Sequence, residues 1–331
     1  MLFRSESGSM IYVGIDIGGT GIKTALVNEK GEILVKDSFP TRAERPGEEI
    51  LADMADMIRK LAKEAGIELT DIAGIGMGFP GLVDPEKGEL VYAVNLPTCR
   101  NLAAGEYMQK TLGLPLYVDN DANVAALGEG LFGAGQGNTR CLVMITLGTG
   151  IGGGVIINGH IFAGAYHGGT ELGHTVIVEN GEPCSCGRRG CWEAYSSATG
   201  LIRAARREAQ LTPDSLLWEM SRHDLDNIDG KMVGDAADRN DPAACRVMDV
   251  DLRHLAVGLG NMYNIFQPEV LILGGGVSGR GDKLLTPLRE LMAGEVYHND
   301  ISHLDIRIAT LGNDAGVIGA ASLVMAEEPR G

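Results

Sequence analysis

Three of the six cysteines, Cys184, Cys186 and Cys191, lie within eight residues of one another, and His174 stands ten positions before the first of them. Three thiolates and one imidazole are a complete tetrahedral set for zinc. Four protein ligands leave no open position for water, so such an ion is structural. A zinc-bound imidazole is fixed in tautomer and direction, and its second nitrogen stays free to face a ligand. Gly187 and Gly190 suit a tight knuckle, and Glu171 and Glu193 stand at the two ends of the stretch.

A second group of chemistry-bearing residues is Asp119-Asn120-Asp121-Ala122-Asn123. It follows the short apolar run Leu116–Val118 and opens a helical pattern. Asp and Asn are favoured helix caps, and one of the four serves as one. Four polar residues in five positions exceed what a cap needs. A carboxylate at a strand end can act as a general base. In phosphoryl transfer an Asp takes the proton of the attacking hydroxyl while metal and amides carry the phosphate charge. Asp121 is the candidate base, with Asn120 orienting a substrate hydroxyl.

Glycine turns form the third group, at Gly18-Gly19-Thr20, Gly148-Thr149-Gly150 and Gly274-Gly275-Gly276. The first two join strand to strand, so they are neither the dinucleotide fingerprint nor the P-loop, both of which open a helix. Their backbone N–H groups and the Thr20 and Thr149 hydroxyls can still point at an anion. Asp16, at the strand end before the first turn, can hold Mg²⁺ directly or through water. Lys23 can reach a phosphate, or lie on a solvated strand edge. Gly274-Gly275-Gly276 suits a flat ring against bare backbone, or a helix N-terminus facing a phosphate. Together the turns point to ATP held between two domains.

The elements that position these groups repeat. Ile11–Asp16, the first glycine turn, Ile22–Val27, the turn at Asn28–Gly31 and Glu32–Lys36 read as an antiparallel meander. Cys141–Thr146, the second turn, Ile151–Ile157, Asn158-Gly159 and His160–Ala163 repeat that order, with an Asn again at the hairpin tip. This internal duplication implies two similar α/β domains. Helical stripes run over 48–64, 102–112, 123–132 and 199–209, with one or two helices over 241–266. Strands are expected at 72–79, 116–118, 269–273 and 306–309. A small-residue helix from 314 to 325 closes the chain and crosses back to the first domain. The acid-rich segment Glu179–Glu182 reads as a solvated turn.

The chain has 331 residues, 44% hydrophobic, with a net charge of −16. That size supports a substantial core. The acidic balance argues against a nucleic-acid surface, which needs clustered Lys and Arg. No apolar run approaches the ~20 residues that span a bilayer, so no membrane partner is expected. Met1–Ser9 lacks the apolar core of a secretion signal and reads as a short disordered lead or an alternative start before Met10. Three scattered and three clustered cysteines are not a disulfide framework, and a reducing cytoplasm fits.

Asp16-Ile-Gly-Gly-Thr20, Gly78-Phe-Pro-Gly81, Asn120-Asp121-Ala-Asn123, Leu147-Gly-Thr-Gly150, Glu171-Leu-Gly-His174 and Cys184-x-Cys186-Gly-x-x-Gly190-Cys191-x-Glu193 together resemble the ROK family (repressor, open reading frame, kinase) from Met10 to about Ala326. That family belongs to the superfamily of sugar kinases, actin and chaperone ATPases. The resemblance implies a two-domain duplicated actin-like/hexokinase ATPase fold of the α/β class, with a cleft between domains and a zinc knuckle. The expected parts are a lead at 1–9, a smaller domain over 10–129 joined by the helix at 314–331, and a larger domain over 130–313. It implies ATP-dependent phosphorylation of a hexose at its 6-hydroxyl, most like the bacterial glucokinases. Asp121 matches the base. Gly81, Asn95, Asn120, Glu171, His174 and Glu193 match sugar-contacting positions. His174, Cys184, Cys186 and Cys191 match zinc ligands. The turns at Gly18 and Gly148, and Gly274-Gly275, match the nucleotide site. A homodimer or homotetramer is the family's usual state.

One departure stands out. Family glucokinases often carry Asn-Leu-Pro-Gly-Trp where this chain has Asn95-Leu-Pro-Thr98-Cys99. The missing Trp alters a wall near the sugar and leaves mannose, fructose, N-acetylglucosamine and N-acetylmannosamine beside glucose. A sugar-responsive regulator without turnover is the alternative of another class. An actin-like or chaperone ATPase would not supply the knuckle.

Overall fold

A computed structural model describes residues 10–327. The lead expected at 1–9 and the end of the expected closing helix lie outside the described residues. Two compact units divide the chain. One holds residues 10–142, 154–170 and 310–327, the other 143–153 and 171–309.

In the first unit, β1 (Ile11–Ile17), β2 (Gly21–Asn28) and β3 (Ile33–Pro40) form the meander. α1 (Gly47–Ala65) then leads to β4 (Ile72–Phe79), which runs parallel to β1. The short hairpin β5 (Leu82–Asp84) and β6 (Glu89–Tyr92), then α2 (Ala104–Leu112), precede β7 (Leu116–Asn120) and α3 (Asp121–Phe132). The sheet order is β3-β2-β1-β4-β7. Helix α1 buries Ile50, Leu51, Met54, Ile58 and Leu61, one stripe at helical spacing. It stops at Gly66, whose φ of 71° lets its N–H turn back to Ala62 and Lys63 carbonyls.

The register fixes which residues share an edge. Asp16 pairs with Gly78, and Gly78 with Asp119. The parallel strands therefore end together, and the residues just beyond them gather at one end of the sheet. That is where ligands bind open α/β sheets.

The second sheet has β8 (Cys141–Leu147), β9 (Ile151–Ile157), β10 (His160–Ile161), β11 (Val270–Gly274) and β12 (Ile306–Ile308), in the order β10-β9-β8-β11-β12. The two orders match strand for strand, so the duplication read from the sequence is present in the topology. The helices of the second half are α4 (Glu193–Ser196), α5 (Ala198–Leu211), α6 (Leu216–Met220), α7 (Gly230–Asp238), α8 (Pro242–Phe266) and α9 (Asp282–Glu295). Residues 242–266 form one helix rather than two. Asp241 caps it through the Ala244 N–H and Pro242 occupies its first turn.

The closing helix α10 (Ala315–Glu327) belongs to the first unit. Its backbone lies directly on β1 and β4. A Cβ added at Gly14 would sit 1.9 Å from the Val317 carbonyl oxygen, and one at Gly76 would sit 1.7 Å from that of Ala320. Gly319 faces α3 in the same way, with an added Cβ 1.9 Å from Val124 O. Such contacts require hydrogen in place of a side chain.

Candidate functional site

The knuckle is built from turns. Thr175 O accepts from Trp192 N–H at 2.8 Å, Cys184 N–H donates to Arg188 O at 2.9 Å, and Gly190 N–H donates to Glu182 O at 2.8 Å. Gly187 (φ 85°) and Gly190 (φ 79°) take the left-handed conformation that closes it. The potential ligand atoms of His174, Cys184, Cys186 and Cys191 all lie within 4.8 Å of one another. His174 Nδ1 is 3.6 Å from Cys184 Sγ, and the Cys186 and Cys191 sulfurs are 3.7 Å apart. A tetrahedral zinc with ordinary bond lengths gives edges of roughly 3.6 Å (N to S) and 3.8 Å (S to S). The set fits zinc. Burial and the neighbouring thiols push the Cys191 thiol up to about 12, so the three cysteines would be thiolates together only beside a cation. Since Nδ1 faces the sulfurs, Nε2 is the nitrogen left to face a ligand.

Glu193 ties the knuckle to the second glycine turn. Its Oε2 accepts the Ile151 N–H at 3.0 Å and its Oε1 accepts the Ser185 hydroxyl at 3.1 Å. Gly150 lies so close that an added Cβ would be 2.4 Å from Oε2. Trp192, beside it, is fully buried beneath α8, where Gly258 leaves room for the ring. The start of α5 holds the same turn: Ala198 N–H donates to Gly148 O and the Thr199 hydroxyl to Thr149 O, both at 2.8 Å. Gly275 (φ 84°) packs on this strand end, with an added Cβ 2.3 Å from Leu147 O. Gly274 lies within β11, buried against Met144.

Around these turns opens a cavity of about 730 Å³, lined by Gly148, Thr149, Gly276, Val277, Arg280 and Lys283 among others. Its volume lies within the range of small-ligand pockets. Arg280 and Lys283 both bond Asp238, at 2.9 and 2.7 Å. Gly234 of α7 makes way for Arg280, since an added Cβ would lie 2.0 Å from Nη1. Sequence reasoning passed over Lys231, Asp238, Arg280 and Lys283. The signal available was two cations spaced three apart just past a glycine turn.

Of the segment read as a solvated turn, Glu179 and Asn180 are exposed in a turn, but Glu182 is an anchor. Glu182 pairs with Arg207 at 2.5 Å and lies 3.7 Å from Arg203, while its N–H donates to the Tyr195 hydroxyl at 2.7 Å. The Arg207 hydrogen bond holds its carboxyl below the usual range. It fastens the knuckle to α5.

In the first unit, Asp16 stands at the end of β1, largely buried. Burial raises its pKa and Lys23, 3.9 Å away, lowers it. The N-terminal turn of α10 abuts it: a Cβ on Gly316 would lie 2.5 Å from Asp16 Oδ2. Lys23 is exposed and donates to Asn313 O at 3.0 Å. The first turn spends one amide on itself, Gly18 N–H donating to Gly21 O at 2.9 Å, and the second does likewise from Gly148 to Gly150 at 3.0 Å. Those two N–H groups therefore do not point outward, which narrows the anion contacts expected from the sequence. Thr20 flanks the first turn, and Gly19 faces the Asn95 side chain, with an added Cβ 3.8 Å from its Nδ2.

The acidic motif divides its work. Asn120 is the cap, its Oδ1 accepting from Ala122 N–H at 2.9 Å and Asn123 N–H at 3.4 Å. Its Nδ2 faces Gly81 O at 3.5 Å. Asp121 begins α3 and its Oδ1 accepts from Ala122 N–H at 2.9 Å. Asp119 points elsewhere, to Asn120 N–H at 2.7 Å and Asn123 Nδ2 at 2.8 Å, and burial raises its pKa. Among the described residues, no helix is long and apolar enough to cross a membrane.

A duplicated α/β fold of the actin-like ATPase kind with a Cys₃His knuckle defines a narrow class. The chain belongs to the ROK family, whose model matches residues 12–327. It is 40% identical over 319 residues to a glucokinase of Halalkalibacterium halodurans, covering 96% of each chain. It superposes with a TM-score of 0.75 on a ROK family glucokinase from Streptomyces griseus in complex with glucose and AMPPNP, at 34% identity, covering 95% of this chain and 98% of that one. It is also 31% identical to a xylose repressor of Caldicellulosiruptor bescii, covering 98% of this chain and 80% of the repressor.

Proposed function

We propose that the protein is an ATP-dependent hexose kinase that transfers the γ-phosphoryl group to the 6-hydroxyl of D-glucose. The observation that carries this reading is the double anchorage of Glu193. One carboxylate is held both by the knuckle and by the amide that follows the second glycine turn, so a sugar-facing group and a phosphate-facing turn share one support. The glucokinases among its relatives, one of them bound to glucose and AMPPNP, support the same reading.

In this scheme Asp121 is the general base. It accepts the proton of the 6-hydroxyl as that oxygen attacks the γ-phosphorus, and ADP leaves. Glu171, Glu193 and Nε2 of His174 bind sugar hydroxyls, and Asn95, Asn120 and the backbone at Gly81 complete the sugar contacts. Asp16 would hold Mg²⁺, which would supply charge neutralisation on the phosphates. Gly18, Gly19, Thr20, Lys23, Gly148, Thr149 and Gly150 face the phosphates, and Gly274, Gly275 and Gly276 the nucleoside. His174, Cys184, Cys186 and Cys191 hold structural zinc.

A coupled assay of ADP release over glucose, mannose, fructose, N-acetylglucosamine and N-acetylmannosamine tests the proposal, with glucose expected to give the highest kcat/KM. No release with any hexose would end the kinase reading. The relative named as a xylose repressor favours a second reading, a sugar-responsive regulator. Sugar binding without ADP release would select it.

A further inference from the structure

Thr170 immediately precedes Glu171, and its backbone is left-handed, with φ 62°. Among the described non-glycine residues with positive φ it is the only β-branched one. The branched Cβ makes that conformation costly, and it persists only where the surroundings over-determine it. The loop before it is already tightly bent: Gly164 (φ 75°) and His167 (φ 55°) are left-handed, and Gly169 N–H closes on Ala163 O at 2.7 Å.

What holds Thr170 is a chain of polar contacts from the acidic motif. Its hydroxyl shares one proton between Gly169 O at 2.6 Å and Asn123 Oδ1 at 3.2 Å. Asn123 is buried, and its Nδ2 donates to Asp119 Oδ1 at 2.8 Å. The carboxylate accepts only, so it decides which way the amide points and leaves Oδ1 for the threonine. Beyond Thr170 the chain turns at once into the 3₁₀ turn ending at His174, whose N–H bonds Glu171 O at 3.0 Å. The backbone angles at Thr170 thus set the heading of Glu171.

Resting on the kinase reading above, we propose that Thr170 is a positioning residue for sugar recognition: its hydroxyl, held by Asn123, keeps the chain in the left-handed conformation that aims Glu171. Glycine would reach that conformation without strain but could not be anchored. Loss of glucose binding should therefore appear without loss of ATP binding or of the fold, which a merely structural role would not produce.

The test compares the full-length wild type, Thr170→Gly and Thr170→Ser by scanning calorimetry, by glucose titration calorimetry, and by KM for glucose and for ATP. Thr170→Gly should bind glucose roughly three- to tenfold more weakly, with the KM for ATP unchanged and the melting temperature within a few degrees of wild type, because relief of strain offsets the lost hydrogen bond. Thr170→Ser keeps the hydroxyl and should bind glucose as the wild type does. Glucose affinity in Thr170→Gly equal to wild type, or a loss in Thr170→Ser as large as in Thr170→Gly, would overturn the proposal while leaving turnover intact. Glucose binding without ADP release by the wild type would overturn the kinase reading alone, and the affinities would still decide the role of Thr170.

Discussion

The N–H of Ile151 donates to Oε2 of Glu193 at 3.0 Å. The amide belongs to the first residue of β9, and the carboxylate sits two residues after a zinc-ligand cysteine. Through this bond the second glycine turn and the Cys₃His knuckle constrain one side chain. Gly150→Ala should break the arrangement, because the new methyl would lie 2.4 Å from that oxygen. The expected result is a rise in glucose KM of roughly tenfold, the equivalent of one misplaced hydrogen-bonding group. The fold should be kept. Steady-state kinetics at saturating ATP reads the effect, and an unchanged KM would mean that Glu193 does not contact the sugar.

Zinc should be needed for binding although it does no chemistry. Removing one thiolate with Cys184→Ala should cut the metal content below the one ion per chain expected of the wild type. It should also lower activity roughly 10- to 100-fold, the size seen when metal-site support is lost. Metal analysis paired with glucose titration checks this. Full sugar affinity in a zinc-free variant would separate the knuckle from the sugar site.

Asp121→Asn keeps the shape of the side chain and its position at the start of α3, but cannot take a proton. Turnover should fall by roughly 10²- to 10⁴-fold, while the glucose Kd stays near that of the wild type. A variant that still turns over normally would point to a different base.

Asp251 on α8 gives a pH-dependent prediction. Its Oδ1 is buried without a hydrogen-bond partner among the described residues. It lines a cavity of about 180 Å³ with Tyr195, His254, Glu182, Arg203 and Arg207. Burial raises its pKa from 3.8 to about 7. Below pH 3.8 the carboxyl is neutral in both folded and unfolded chains, so nothing is lost there. As pH rises toward 7 the unfolded chain ionises freely while the folded one resists, and stability falls. Asp251→Asn should therefore stabilise the protein at pH 8, on the order of a few kcal/mol, with a smaller gain at pH 5. Melting curves across that range would show it. Equal gains at both pH values would mean that Asp251 is not a buried neutral acid near pH 7.

Much of this architecture could be read from residue pattern, because the glycine turns and the meanders around them recur in order. The knuckle was equally legible, since zinc demands particular side chains at short range. Other parts gave a misleading signal or none. Helix α9 carries Pro287 in its interior and α7 carries Gly234, residues that disfavour a helix locally, so the apolar spacing of Leu285, Leu288 and Met292 in α9 is masked. The two hairpin tips share an asparagine but use it differently. Asn28 accepts Lys30 and Glu32 N–H groups through its side chain, whereas Asn158 supplies a left-handed backbone (φ 52°) before Gly159. Glu182 looked solvated because its partners, Arg203 and Arg207, stand on a helix some way along the chain. The strain at Thr170 had no signature at all, since a threonine beside two glycines says nothing of its own φ.

Helix α10 is made after every strand of its own unit, and it rests on β1 and β4 with only hydrogen atoms at Gly14 and Gly76 separating the backbones. The first unit therefore cannot close over its sheet until residues 315–327 have been made. Until then, one face of β1 and β4 stays open to solvent or to a chaperone. A nascent chain halted before residue 315 should remain protease-sensitive in its first hundred residues, however long it waits.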